Sequence, residues 1–118
     1  MKGDNIIQIK SFAFAVRIVG AYKLLINEKK EYVLSKQMLR SGTSIGANIE
    51  EAIGGQSKAD FISKISISYK EARETIYWIK LLKATDYLPS EMADSLLTDA
   101  EEISRIIGKI QTTMKNKE

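Results

Sequence analysis

Apolar residues recur along the chain at three- and four-residue steps in four stretches, the periodicity of amphipathic helices. The first stretch, Asn5 to Asn27, carries Phe12, Val16, Val19 and Ile26 on one stripe and Phe14, Ile18, Tyr22 and Leu25 on another. An apolar arc that wide predicts a helix covered on two sides. After the polar break Glu28-Lys29-Lys30-Glu31, a second helix is predicted over Tyr32 to Ile53, with Leu34, Met38, Ile45, Ile49 and Ile53 facing inward. Gly54-Gly55 is expected to end it through a left-handed glycine.

Ser57 with Asp60 resembles a capping box with a shorter acid, so a third helix is predicted from Lys58 to Ala84, its inner stripe being Phe61, Ile65, Ala72, Ile76 and Ile79. The fourth starts at the break Asp86-Tyr87-Leu88-Pro89, where proline suits a first helical turn because the missing amide hydrogen would be unpaired there. Leu96, Ala100, Ile103, Ile107, Ile110 and Met114 then alternate steps of four and three, the seam a bundle helix presents to its neighbours. Gly42, Thr43, Ser44 and Gly46 weaken helix propensity inside the second stretch. Small residues also let two helix backbones approach closely, so the stretch reads as one helix. Short connections force successive helices to turn back, giving an all-α, antiparallel up-down-up-down four-helix bundle. At 118 residues the chain suits one domain, residues 1–118.

Composition narrows the chemistry. Cysteine and histidine are both absent, which removes disulfides, thiolate metal sites, the commonest general base and the best thiol nucleophile. The expectation is a non-enzyme without cofactor. Asp4, Asn5, Gln8 and Lys10 interrupt any signal-peptide core and no apolar run reaches membrane-spanning length, so the expected setting is the cytoplasm, away from membranes. The net charge of +3 is small but uneven: residues 57–87 carry six basic and four acidic side chains, residues 88–118 four and six. Basic surface is expected from the first and third helices.

A polar stripe interrupts the apolar pattern. Gln37, Arg40, Ser41, Ser44, Asn48 and Glu51 share one face of the second helix, and Lys70, Glu71, Glu74 and Trp78 are placed together on the third. A hairpin turning at Gly54-Gly55 brings Arg40 opposite Lys70 and Glu71, with Glu74 one turn away, so pairing of Arg40 with Glu71 or Glu74 is a geometric expectation. Two readings stand side by side. In one, Gln37, Arg40, Ser44, Asn48, Glu51, Glu71 and Glu74 form a structural hydrogen-bonded network that fixes helix register. In the other, Lys36, Arg40, Lys64, Lys70 and Arg73 hold phosphates without reading bases. Glu50, Glu51, Glu71 and Glu74 suggest a carboxylate metal site, but bundle di-iron sites add Glu-x-x-His motifs that this chain lacks, so no metal is expected. Tyr69, Tyr77 and Trp78 lie beside an apolar stripe, where packing in the core or an oligomer interface is favoured over stacking on bases.

The run Leu34-Ser35-Lys36-Gln37-Met38-Leu39-Arg40-Ser41-Gly42-Thr43-Ser44-Ile45-Gly46-Ala47-Asn48-Ile49-Glu50-Glu51 resembles the 23S rRNA intervening-sequence protein family of bacterial four-helix bundles. Ser57-Lys58-Ala59-Asp60-Phe61 and Lys70-Glu71-Ala72-Arg73-Glu74-Thr75-Ile76-Tyr77-Trp78 are similar to a second block of that family. The resemblance implies a four-helix bundle that assembles as a homo-oligomer, a pentamer, and it implies nothing catalytic. A relative among the accessory proteins of diversity-generating retroelements forms a basic pentameric barrel that binds nucleic acid, which extends the expectation to structured RNA or DNA. The competing expectation is a protein-binding adaptor or structural oligomer, with no nucleic acid, that docks on a partner through its outer apolar stripe.

Overall fold

A computed structural model describes residues 2–116, and their side chains from Ile6 onward; Met1, Lys117 and Glu118 lie outside the described residues. Four helices follow in order: α1 (Lys2–Asn27), α2 (Leu34–Ile53), α3 (Lys58–Ala84) and α4 (Ser90–Asn116). They form an elongated antiparallel bundle of 47 × 21 × 19 Å. Contacts run α1 to α2, α2 to α3, α3 to α4 and α4 back to α1, so α1 and α3 are diagonal to each other. The seam between α1 and α4 is the sparsest of the four. Among the described residues no helix is long and apolar enough to cross a membrane.

The predicted inner stripes supply most of the core, and Ile7, Leu82, Leu88 and Ala93, which belonged to no predicted stripe, add to it. Phe14, Ile18, Leu25, Met38, Ile45, Ile49, Ile65, Ala72 and Ile79 are buried, and α4 contributes Leu96, Ala100, Ile103, Ile107 and Ile110 at its alternating spacing. Burying a side chain of this size contributes about 1.5–3 kcal/mol relative to leaving it in water. Tyr22, Phe61, Ile76 and Met114 pack partly buried against this core. Ile53, expected inside, is 44% exposed at the last position of α2.

The helix ends show how local chemistry sets the boundaries. α2 starts at Leu34 rather than Tyr32 because Glu31 caps it from outside. The Glu31 carboxylate accepts the amides of Val33, Leu34 and Ser35 at 3.2, 3.1 and 2.6 Å. Ser35 Oγ donates back to the Glu31 carbonyl at 2.7 Å. Lys30, just before this cap, has φ 54°. At the other end of α2, Gly54 has φ −83°, so the expected left-handed glycine is not what closes the helix. The turn that follows is crowded instead: a Cβ on Gly55 would lie 3.2 Å from the Ala52 carbonyl and 3.3 Å from Asp60 Cβ, closer than ordinary contact. Ser57 caps α3 as its sequence implies, its hydroxyl accepting the Asp60 amide at 3.1 Å. Pro89 stands one residue before α4, where its carbonyl accepts the Ala93 amide at 2.9 Å, and Asp86 in the preceding turn has φ 65°. Aspartate tolerates that left-handed conformation better than most residues.

Candidate functional site

Three surfaces of the bundle carry features that packing alone does not use, and the first is the polar seam between α2 and α3. Arg40 Nη1 donates to Glu71 Oε2 at 3.0 Å, and Arg40 Nη2 donates to Glu74 Oε2. Trp78 Nε1 donates to the same Glu74 oxygen at 2.9 Å. The hydrogen bond from Trp78, joined by that from Arg40, holds the Glu74 carboxyl below the usual glutamate range against the opposing effect of burial. Its bond to Glu74 and the neighbouring charge of Glu71 hold the Arg40 guanidinium above its ordinary value. Deeper in the seam the hydroxyls of Ser41 and Thr75 are 2.9 Å apart, and Ser68 Oγ donates to the Ile45 carbonyl at 2.9 Å.

The predicted network residues therefore divide. Arg40, Glu71 and Glu74 meet across the helices, and Glu51 pairs with Lys64 at 3.0 Å. Ser44 and Asn48 bond within their own helix, Ser44 Oγ to the Arg40 carbonyl at 2.6 Å and Asn48 Nδ2 to the Ser44 carbonyl at 2.8 Å. Gln37 is exposed. Glu50 accepts from Gln8 Nε2 at 2.9 Å, and among the described residues no three potential metal-ligating side chains converge.

The second surface is the outer ridge of α3. Lys70, Arg73, Tyr77 and Lys80 follow at steps of three, four and three, and all four are exposed. Successive residues on a helix are about 100° apart, so Lys70 points outward while Glu71 turns toward α2; the two do not share a face as the sequence grouping had them. The neighbouring exposed positions, Ser63, Ile67 and Ala84, add no carboxylate. Tyr77 is 58% exposed and stands edge-on to Trp78 with ring centroids 5.0 Å apart, so a half-buried tryptophan props an open tyrosine. Of the five candidate phosphate ligands, Arg40 and Lys64 are engaged by carboxylates, whereas Lys36, Lys70 and Arg73 are exposed and have no ion-pair partner among the described residues. Sequence reasoning missed Lys80 and the outward place of Tyr77. Their three-four-three spacing from Lys70 was the available signal.

The third surface is apolar. On α1, Ile9, Phe12, Val16 and Val19 form a ridge that is 70%, 69%, 58% and 37% exposed. The other exposed positions from Ile6 to Gly20 are Ile6, Ala13 and Gly20, so this face carries no charge until Lys23, one turn beyond Val19. On the side of the bundle formed by α3 and α4, the two helices flank an open groove of about 680 Å³. Ile62, Ile65, Tyr69 and Met114 supply its apolar lining, with Gln111, Thr112 and Lys115 among its polar residues.

Comparison with known proteins agrees with this architecture. A crystal structure of a protein with unknown function from the S23 ribosomal protein family of Bacteroides thetaiotaomicron superposes with a TM-score of 0.91 at 54% identity, over 93% of this chain and 98% of that one. No curated protein matches the sequence. The family model for 23S rRNA-intervening sequence proteins matches residues 3–109. With residues 3–109 matched, from the start of α1 to within two turns of the end of α4, the chain belongs to the 23S rRNA-intervening sequence protein family.

Proposed function

We propose that this protein is a homo-oligomeric bundle, a pentamer, that binds structured RNA or DNA through phosphate contacts. The observation that carries the reading is the ridge Lys70-Arg73-Tyr77-Lys80, three exposed cations around an exposed aromatic ring with no carboxylate on the crest. Lysine and arginine contacts to phosphate supply affinity without sequence readout. A tyrosine among them adds a face on which an unpaired base can stack. Lys36, exposed in the first turn of α2, extends the cationic surface. Arg40 and Lys64 belong to the scaffold in this reading, because each cation is already neutralised. The apolar α1 ridge supports self-association, since a contiguous uncharged face of large side chains is a mark of an interaction surface.

The experiment is fluorescence anisotropy with a ribosomal RNA stem-loop and a DNA duplex, titrated at several salt concentrations for the wild type and for Arg73→Ala and Lys80→Ala. Binding that weakens steeply with salt, and less steeply in the variants, supports phosphate contact. Absence of binding to both probes at low salt overturns it and leaves a protein-binding oligomer.

A further inference from the structure

The apolar ridge of α1 and the groove between α3 and α4 are both uncovered in a single chain, and they lie on opposite sides of it. They also lie at one level. Gln8 of α1 bonds Glu50 of α2, and the adjacent Glu51 bonds Lys64 of α3. Because α1 and α3 run in the same direction, this sets Ile9 and Phe12 level with the stretch from Ile65 to Tyr69, which lines the groove.

We infer that the α1 ridge of one copy seats in the α3/α4 groove of the next, with Phe12 and Ile9 against Ile62, Tyr69 and Met114. The inference rests on the homo-oligomer reading and specifies its interface. A ridge meeting an identical ridge around a twofold axis would cover the ridge and leave the groove open. A second copy placed head to tail covers both apolar surfaces with one contact, and it is the one occupant that the chain itself supplies. Head-to-tail contacts build rings or filaments according to whether the operation closes. With donor and acceptor surfaces at the same height, each copy is related to the next without a step along the bundle axis, which a closed ring requires; the turn between copies, set by how the ridge seats in the groove, decides how many close it. The groove volume, 680 Å³, is in the range of cavities that enclose a sizeable ligand, so it has room for two large side chains.

The test is light scattering of the full chain after size exclusion, with circular dichroism to confirm folding. Phe12→Glu alters the ridge, Met114→Glu the groove. Thr112→Trp fills the groove from an exposed position and stands in should Met114→Glu unfold, as Val16→Lys does for Phe12→Glu. The wild type is expected to assemble and each folded single variant to run as a monomer. An equimolar mixture of a ridge variant and a groove variant, at high concentration, is expected to give a two-chain species, because one brings an intact groove and the other an intact ridge. Folded groove variants that assemble like the wild type, or a mixture that stays monomeric, overturn the ridge-in-groove contact while leaving self-association standing. A monomeric wild type overturns self-association itself, and the contact with it.

Discussion

Gly42 of α2 lies directly against Ile18 of α1: a Cβ built on Gly42 would stand 2.9 Å from both Cγ1 and Cγ2 of that buried isoleucine. Those atoms are the branch of a fully enclosed side chain and have no room to retreat. Gly42→Ala is therefore expected to destabilise the fold, since forced overpacking costs about 1–3 kcal/mol and outweighs the roughly 1 kcal/mol gained in helix propensity. Gly20 is its control, with nothing within 4 Å of an added Cβ. Gly20→Ala should raise stability by up to about 1 kcal/mol. Urea denaturation of both variants checks the pair, and equal signs would show that close α1–α2 approach is not what Gly42 provides.

The buried hydroxyls of Ser41 and Thr75 predict coupling. Thr75 Oγ1 lies 2.9 Å from Ser41 Oγ and 2.7 Å from the Glu71 carbonyl. Thr75→Val keeps the shape but strips Ser41 of its cross-helix partner, which should cost about 1–3 kcal/mol. Adding Ser41→Ala should then cost less than it does alone, and a double-mutant cycle measures the difference.

Glu31 predicts how α2 responds to acid. Burial raises its carboxyl pKa, but hydrogen bonds from the amides of Ser35, Leu34 and Val33 outweigh this and hold it below the ordinary glutamate value. A lowered folded pKa means the carboxylate's contribution is complete above the unfolded-state value and disappears as pH falls through the folded one. Glu31→Gln should cost about 1 kcal/mol at neutral pH, the usual worth of a helix cap. The gap to wild type should close in the acid range below the normal glutamate value. Thermal melts across that range read it, and a pH-independent gap would refute the role of the charge.

Arg40 and Arg73 are predicted to separate stability from binding. Arg40 is half exposed, so Arg40→Ala should cost no more than about 1 kcal/mol, the upper end for exposed ion pairs. The logarithmic salt slope of RNA or DNA binding should stay unchanged in that variant. Arg73→Ala should leave the melting temperature in place and lower the slope by about one, the expectation for losing one phosphate contact. A changed slope in Arg40→Ala would return that residue to the binding surface.

Much of the scaffold could be read from spacing. The α4 seam from Leu96 to Ile110 and the Ser57 cap are local patterns with local causes, and both stand where the sequence puts them. The pairing of Arg40 with Glu71 or Glu74 was legible as well, because hairpin register follows from where the turn falls, though both carboxylates take part and Lys70 stands outside the seam. The Glu31 cap was not, since Glu28-Lys29-Lys30-Glu31 looks like any solvated break until the chain reverses at Lys30 and folds the carboxylate over the first amides of α2. Nor was the α3/α4 groove, which depends on how the side chains of two helices meet and leaves no periodic mark. The α1 ridge was half legible: the two stripes foretold two covered sides, and in the single chain the stripe with Phe12 and Val16 remains open.

The sparse α1–α4 seam bears on the order in which the bundle assembles. Three of the four helix pairings join neighbours in sequence and can form as hairpins, but Lys10 reaches Glu102 across 92 residues and Arg17 reaches Asp99 across 82. Pairings so distant are slow to find, because the chain between them must already be ordered. Their ion pairs are at the surface, where salt weakens them. Docking of α1 on α4 is thus the step that closes the bundle last and reopens first. Amide exchange in the folded protein should show it as one cooperative unit, α1 losing protection ahead of the α2–α3 hairpin and sooner still at high ionic strength.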